Sequence, residues 1–162
     1  MRKFLVTGLG TGYAPIAPGT AGSAAVIAIY ILLSWLDPGC FWSQSAVLAG
    51  IVILSSVICV SLGRFAEQTF GKKDPGQVTI DEWAGQALAL IALPMALTWS
   101  NRLTVAITAF LLFRLFDILK PAPANRLQAL PAGWGILVDD LIAGLYANIV
   151  AQLFLRLALH MS

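Results

Sequence analysis

Long stretches without a charged side chain limit most strongly how this chain can fold. Of its 18 Asp, Glu, Lys and Arg residues, seven lie in residues 64–82 and six in residues 114–140. Five mostly apolar stretches avoid these two clusters: residues 20–36, 43–63, 83–101, 103–113 and 141–155. A helix crosses a bilayer core with about 20 apolar residues. Charged residues make up 11% of the chain, against about 25% in soluble domains, so we expect a membrane-embedded protein.

The apolar stretches favour helices, because none alternates apolar and polar residues over the length of a strand. Small residues recur at four-residue spacing, which lets helices pack closely in lipid. These pairs are Ala24/Ala28, Gly85/Ala89, Ala143/Ala147 and Ala147/Ala151. Pro94 predicts a kink in the third stretch, and the fourth stretch is marginal in length. We expect one all-α domain over residues 1–162, a compact membrane-embedded bundle of about five helices with its motif loops on one face.

The charge clusters predict an orientation in the membrane. If all five stretches cross, residues 1–19, 64–82 and 114–140 lie on one side. That side carries eight basic residues, and the other side carries only Arg102 and Arg156. Since basic loops stay in the cytoplasm, we expect the charged face in the cytoplasm and the C-terminus outside. Seven of the eight acidic residues share that face.

Carboxylates at three predicted helix ends are the main candidates for chemistry. Asp81 and Glu82 begin the third helix, Asp117 ends the fourth, and Asp139 and Asp140 open the fifth. Mg²⁺ prefers oxygen ligands and is usually held by few carboxylates together with substrate phosphate. Capping and compensation of the helix dipole would explain a single acidic pair. Two pairs together with Asp117 favour a metal site, with all five carboxylates as ligands.

Two basic side chains and a glycine-rich segment are candidates for binding phosphate. Arg114 and Lys120 flank Asp117 at helical spacing, where they could hold a phosphate beside the metal. Snorkelling at the membrane edge and an ion pair with Asp117 explain them equally well. Between Thr11 and Thr20, backbone N–H groups could cradle a phosphate before a helix start, although the segment lacks the Lys of a Walker loop.

Several function classes are excluded by what the chain lacks. The net charge is +2 and no basic run exceeds two residues, so we expect no nucleic-acid partner. Cys40 and Cys59 have no metal-binding spacing and are read as small buried apolar residues. With His160 as its only histidine, the chain has no catalytic triad or histidine phosphatase centre. Metal-assisted chemistry by carboxylates, with water as the nucleophile, remains.

Four motifs, in order along nearly the whole chain, resemble one known family. They are residues 14–23, Asp74 with residues 80–85, residues 113–123, and residues 133–144. Together they resemble the phosphatidylglycerophosphatase A family. The resemblance implies a Mg²⁺-dependent phosphatase that converts phosphatidylglycerophosphate to phosphatidylglycerol at the cytoplasmic face of the bacterial inner membrane.

On this reading, the five carboxylates hold one or two Mg²⁺, and four residues hold the phosphate: Arg114, Lys120, Thr11 and Thr20. The expected partners are the lipid substrate and the surrounding membrane lipids, and the oligomeric state stays open. A phosphatase for another lipid phosphomonoester, such as phosphatidic acid, is the nearest alternative. A small ion or solute transporter and a non-catalytic membrane scaffold are alternatives from other classes.

Overall fold

The computed structural model describes residues 1–37, 40–94, 98–122, 133–158 and 160. These residues form helices and no strand, which confirms the all-α prediction. The helices are α1 (Arg2–Val6), α2 (Pro18–Leu36), α3 (Phe41–Phe70), α4 (Ile80–Leu90), α5 (Trp99–Leu119) and α6 (Gly133–Leu153). A short 3₁₀ turn, Thr11–Tyr13, precedes α2, and a π turn, Phe154–Ala158, extends α6.

Local signals in the sequence mark where these helices begin and end. Pro18 occupies the first turn of α2, where its fixed φ suits a helix and its missing N–H costs nothing. Gly71 ends α3 with φ of 69°, a left-handed conformation that glycine adopts readily. The Thr98 hydroxyl caps α5 by accepting a hydrogen bond from the Asn101 N–H at 3.2 Å.

The prediction of one kinked crossing over residues 83–101 is wrong. Helix α4 has 11 residues and ends at Leu90, and α5 begins only at Trp99. At 1.5 Å per residue, α4 is about 16 Å long, roughly half the thickness of a bilayer core. Pro94 therefore lies in a connection between two helices. The marginal fourth stretch, residues 103–113, lies within the 21-residue α5.

Amide side chains of α6 explain how α4 can end inside the bundle. The last carbonyls of a helix have no partner within it, and an unsatisfied carbonyl is costly away from water. Asn148 Nδ2 donates hydrogen bonds to the carbonyls of Leu88, Ala89 and Ile91, the shortest at 2.7 Å. Gln152 Nε2 donates to the Ala92 carbonyl at 2.5 Å. Two α6 side chains thus satisfy the C-terminal end of α4.

Three of the described helices are long and apolar enough to cross a membrane: Pro18–Leu36, Phe41–Phe70 and Gly133–Leu157. Helix α5 has the length of a crossing but carries three charged side chains, Arg102, Arg114 and Asp117. The expectation of about five helices is close, because α2 to α6 form the bundle. The expectation that five similar apolar stretches each cross is not met, since α4 is too short.

The small residues predicted to bring helices together do so around α4. A Cβ on Gly144 of α6 would collide with the carbonyl oxygen of Gly85 on α4. Ala89, Ala143 and Ala147 are fully or almost fully buried in one cluster with Phe113 of α5. The pairs Gly85/Ala89 and Ala143/Ala147 therefore form a close helix contact, as expected. Ala24 and Ala28 of α2 face outward instead.

Candidate active site

Three helix ends and the second turn of α6 meet at one end of the bundle and bring most of the charges together. Gly19, in the first turn of α2, lies directly against the Glu82 carboxylate of α4, where any Cβ would overlap it. Arg114 of α5 is 3.7 Å from Glu82, and Lys120, just after α5, is 2.6 Å from Asp139 of α6. The charged segments meet as predicted, although residues 83–101 do not form one crossing. Helix α4 runs away from the cleft and α5 runs back to it, so the start of α4 and the end of α5 lie together.

The acidic side chains at this end are largely buried. Asp81, Asp139 and Asp140 are 7%, 5% and 4% exposed. Burial raises the pKa of Asp81 well above its ordinary value, and the neighbouring Glu82 carboxylate raises it further. Burial raises the pKa of Glu82 to about 8, although Arg114 acts to lower it. Without a bound cation, it is therefore unfavourable for all of these carboxylates to be ionised at once.

The capping explanation does not apply to both acidic pairs. Asp81 and Glu82 do lie in the first turn of α4, where the helix dipole favours negative charge. Asp139 and Asp140 were expected to open their helix, but α6 already begins at Gly133, with no acidic residue in its first turn. The dipole effect fades within one turn. Compensation of the helix dipole therefore does not explain why Asp139 and Asp140 are buried at this position.

A cleft of about 360 Å³ runs between these groups. Its walls combine carboxylates, two lysines and three apolar side chains. The lining residues are Lys72, Asp74, Gly76, Val78, Asp81, Glu82, Asp117, Ile118, Lys120, Ile136, Asp139 and Asp140. All five carboxylates predicted as metal ligands line this one cleft.

The donor chemistry of the cleft fits a hard divalent cation. One carboxylate oxygen on each of Asp81, Glu82 and Asp140 is buried without a hydrogen-bond partner in the described part of the chain. Such orphaned oxygens are costly unless something binds them. Among the described residues, no three His, Cys, Asp or Glu side chains lie close enough together to hold one metal ion by themselves. Mg²⁺ suits this arrangement, because it is commonly held by one or two carboxylates together with waters and substrate phosphate.

Both predicted phosphate-binding cations are held by carboxylates. Arg114 Nη1 pairs with Asp117 Oδ2 at 2.9 Å, and Lys120 Nζ donates to Asp139 Oδ2 at 2.6 Å. Burial lowers the pKa of Lys120, but the hydrogen bond and charge of Asp139 outweigh it, so the pKa is raised overall. The expected ion pair with Asp117 is thus present for Arg114, whereas Lys120 pairs with Asp139 instead. Phosphate binding by either residue stays a prediction.

The two predicted threonines lie beside the cleft and do not line it. The Thr11 and Thr79 hydroxyls are hydrogen-bonded at 2.9 Å, which ties the N-terminal loop to the residue that precedes α4. Thr20 lies in the first turn of α2, next to Gly19. The N-terminal loop instead forms the wall of a second, neighbouring cavity. A phosphate contact for either threonine remains a prediction.

Two cleft residues were missed by the sequence-based assignment of the site, Lys72 and Asp74. Both belong to the charged run that follows α3. Burial raises the pKa of Asp74, and the charge of Asp139 adds to this effect. The signal was available, since Asp74 is part of one of the four motifs and precedes Pro75 and Gly76, which favour a turn.

An apolar helical bundle with a charged cleft at one end is the arrangement expected of a membrane-embedded enzyme that acts on lipid headgroups. Residues 4–155 match the model of the family described as Phosphatidylglycerophosphatase A. The chain belongs to the phosphatidylglycerophosphatase A family, and it is a phosphatase. This membership removes the transporter and scaffold alternatives. The three candidate crossings and the bacterial relatives described next indicate a membrane protein.

Curated relatives cover most of the chain. A phosphatidylglycerophosphatase A of Haemophilus influenzae is 38% identical over 90% of this chain and 83% of its own length. The phosphatidylglycerophosphatase A of Escherichia coli is 33% identical over 86% of this chain and 75% of its own. A candidate phosphatidylinositol-3-phosphatase of Bacteroides thetaiotaomicron is 35% identical over 89% and 87%. No solved structure matches the chain.

Proposed function

We propose that this protein hydrolyses the terminal phosphomonoester of phosphatidylglycerophosphate, in a Mg²⁺-dependent reaction, to give phosphatidylglycerol and phosphate. The observation that carries the proposal is the pair of orphaned carboxylate oxygens on Asp81 and Asp140, which line one cleft beside Lys120. A cation held by these acids would satisfy their oxygens, and the same cation could bind the phosphomonoester. Family membership supplies the substrate class.

The partners of each carboxylate suggest how the metal ligands divide. Asp81 and Asp140 form no ion pair among the described residues and each has a buried oxygen without a hydrogen-bond partner. Asp117 and Asp139 pair with Arg114 and Lys120, and Glu82 is 3.7 Å from Arg114. We expect Asp81 and Asp140 to contribute most to metal binding, with Glu82 beside them. When bound, Mg²⁺ would offset the charge of the phosphate and lower the pKa of a water molecule.

The chain's own cations have a second task in this scheme. An arriving phosphate competes with Asp139 for Lys120, which is 30% exposed and free to reorient. Once Lys120 turns to the phosphate, Asp139 Oδ2 can accept a proton from the attacking water and return it to the glycerol oxygen, which leaves as its bond to phosphorus breaks. Arg114 stays between Glu82 and Asp117, where it limits the repulsion between acids and can offer a second contact to the phosphate.

We place the cleft at the cytoplasmic face of the bacterial inner membrane. The described basic residues at the cleft end outnumber those at the far end, Arg102 and Arg156, and basic ends stay in the cytoplasm. Exposed Trp35, Trp42 and Trp99 lie at the far end, as tryptophans do at a membrane–water interface. Arg126, which the charge count included, lies outside the described residues.

Phosphate release from short-chain phosphatidylglycerophosphate in detergent micelles tests the proposal. We expect EDTA to abolish release and Mg²⁺ to restore it. Asp81→Asn and Asp140→Asn should each lower kcat by at least about 10- to 100-fold, the loss typical when even a residue that supports a metal ligand is removed. Asp37→Asn is the matched control, since Asp37 lies at the far end beside Ser43. Near-full activity in EDTA would refute the metal assignment.

A second substrate deserves the same assay because of the Bacteroides relative, named for phosphatidylinositol 3-phosphate. The headgroups of that lipid and of phosphatidylglycerophosphate are built alike. In each, a phosphodiester joins diacylglycerol to a polyol, and the polyol carries a phosphomonoester. Phosphatidic acid, the other alternative, has no phosphodiester. We expect phosphatidylglycerophosphate to give the highest kcat/KM, since the family description and two relatives carry its name.

A further inference from the structure

A second cavity of about 500 Å³ adjoins the carboxylate cleft and is not used by the mechanism above. The N-terminal loop, the end of α3 and the turn before α4 form its walls. The lining residues are Gly12, Tyr13, Ala14, Pro15, Pro18, Phe70, Lys72, Gly76 and Gln77. Lys72 and Gly76 line both spaces. The two cavities are therefore neighbours that meet at these two residues.

The charge of the second cavity differs from that of the cleft. Lys72 is the one charged side chain on its described walls, and no carboxylate lines it. The cleft has five candidate metal ligands and Asp74. Lys72 also faces Asp74 in the cleft, where burial raises the pKa of that carboxyl and the charge of Lys72 acts to lower it. On the second cavity it has no acid beside it, so its ammonium group can contact an anion there. Gly76 leaves the boundary open, because the space where its Cβ would stand has no neighbouring atom within 4 Å.

The position of the second cavity places it at the lipid surface. Phe70 is the last residue of α3, a candidate crossing, and Lys72 follows two residues later. The loop on the opposite wall exposes Tyr13 and Ile16, the latter by 85%. Apolar side chains that protrude beside the end of a spanning helix suit the boundary between headgroups and acyl chains.

We propose that this cavity binds the inner phosphodiester of the lipid headgroup, and that Lys72 is the specificity-determining residue that contacts it. The inference rests on the proposed function and extends it. The phosphomonoester would lie in the carboxylate cleft, the polyol would pass Gly76, and the acyl chains would leave past Tyr13 and Ile16. Lys72 thereby selects lipids that carry two phosphates over those, such as phosphatidic acid, that carry one.

Inhibition of the full-length enzyme in micelles separates the two subsites. Dihexanoyl phosphatidylglycerol carries only the phosphodiester, and inorganic phosphate resembles only the phosphomonoester. We expect Lys72→Ala to raise the inhibition constant of dihexanoyl phosphatidylglycerol about tenfold, as loss of one charged hydrogen bond does. The inhibition constant of phosphate should stay within twofold, and KM for phosphatidylglycerophosphate should rise while kcat changes little. Lys72→Arg should recover most of the affinity.

Lys73→Ala is the matched control, because Lys73 carries the same charge one residue away and lines neither cavity. It should leave both inhibition constants unchanged. Equal weakening of both inhibitors in Lys72→Ala would assign Lys72 to the phosphomonoester and overturn the inference, as would no change in either or the same loss in Lys73→Ala. Failure of the proposed function is a different result, namely no phosphate release from phosphatidylglycerophosphate by the unmodified protein.

Discussion

Asp81 and Asp139 illustrate how two buried aspartates in one cleft can differ in the stability they confer. Asp139 is paired with Lys120 at 2.6 Å, whereas Asp81 has no cationic partner among the described residues. A buried carboxylate without a partner either stays charged at a desolvation cost or takes up a proton, and each option costs free energy. The sequence predicted both residues as ligands but not this difference, because the position of Lys120 opposite Asp139 depends on how α5 and α6 pack.

Substitutions at Asp81 and Lys120 should therefore change stability in opposite directions. Asp81→Asn removes an unsatisfied buried charge and should raise the free energy of unfolding in EDTA by about 1 kcal/mol, while activity is lost. Lys120→Met removes the cation that pairs with the buried Asp139 and should lower the free energy of unfolding by about 1–3 kcal/mol. This range is reduced because Lys120 is partly exposed. Thermal unfolding in detergent with EDTA measures both. Changes of the same sign would contradict the partner assignment.

Helix α4 shows where prediction from the sequence stops working at the scale of an element. The apolar residues 83–101 suggested one crossing, because hydropathy does not show where a helix ends. The end is set by Asn148 and Gln152, which lie about 60 residues later and reach the carbonyls of residues 88–92. The beginning of α2 at Pro18 is close to the predicted residue 20, because a proline acts locally on the first turn. The beginning of α5 at Trp99 lies inside the stretch predicted as the third crossing, so it was not predicted.

Gln152 gives a direct test of this capping. Gln152→Leu removes the donor to the Ala92 carbonyl and the acceptor of the Arg156 Nε–H at 2.7 Å. We expect the free energy of unfolding to fall by about 1 kcal/mol, the net contribution of one hydrogen bond, because the half-buried Ala92 carbonyl keeps only the Arg156 Nη2 contact at 3.5 Å. Gln68→Leu makes the same change at an exposed position of α3 and should stay within about 0.5 kcal/mol. Equal effects of the two variants in thermal unfolding would show that the cap contributes nothing.

The contact between α4 and α6 holds the two acidic pairs in register. Gly144→Ala would drive a methyl group into the Gly85 carbonyl oxygen and force the helices apart. We expect a loss of about 1–3 kcal/mol in stability, and about 100-fold in kcat, because Asp139 and Asp140 would shift relative to Asp81. The control is Gly50→Ala in α3, where the added methyl meets open space and should stabilise the helix by up to about 1 kcal/mol. Unchanged activity in Gly144→Ala would mean that this contact does not position the site.

At the scale of the whole molecule, charge and apolar surface are separated along the bundle. The cleft end gathers the carboxylates with Arg114 and Lys120, and the outer faces of α2 and α3 expose Leu32, Ile53, Leu54 and Val57. The sequence predicted this separation well, because the positions of charges along a chain with alternating helix directions determine which end they share. The existence of the second cavity was not predicted, since it depends on the loop before α2 folding against the turn before α4.

The orientation of the molecule in the membrane leads to a prediction that its own cysteines can test. Cys40 lies at the start of α3, at the end away from the cleft, and is partly exposed, whereas Cys59 is buried. If the cleft faces the cytoplasm, a membrane-impermeant maleimide should label Cys40 in spheroplasts, where the outer face of the inner membrane is accessible.

A Cys40→Ser protein that carries Lys73→Cys should be labelled only after the membrane is permeabilised, since residue 73 is exposed at the cleft end. Cys40→Ser alone should give no label in either condition, which controls for Cys59. The reverse pattern would place the cleft outside the cytoplasm and contradict the positive-inside argument, while leaving the chemistry of the cleft unchanged.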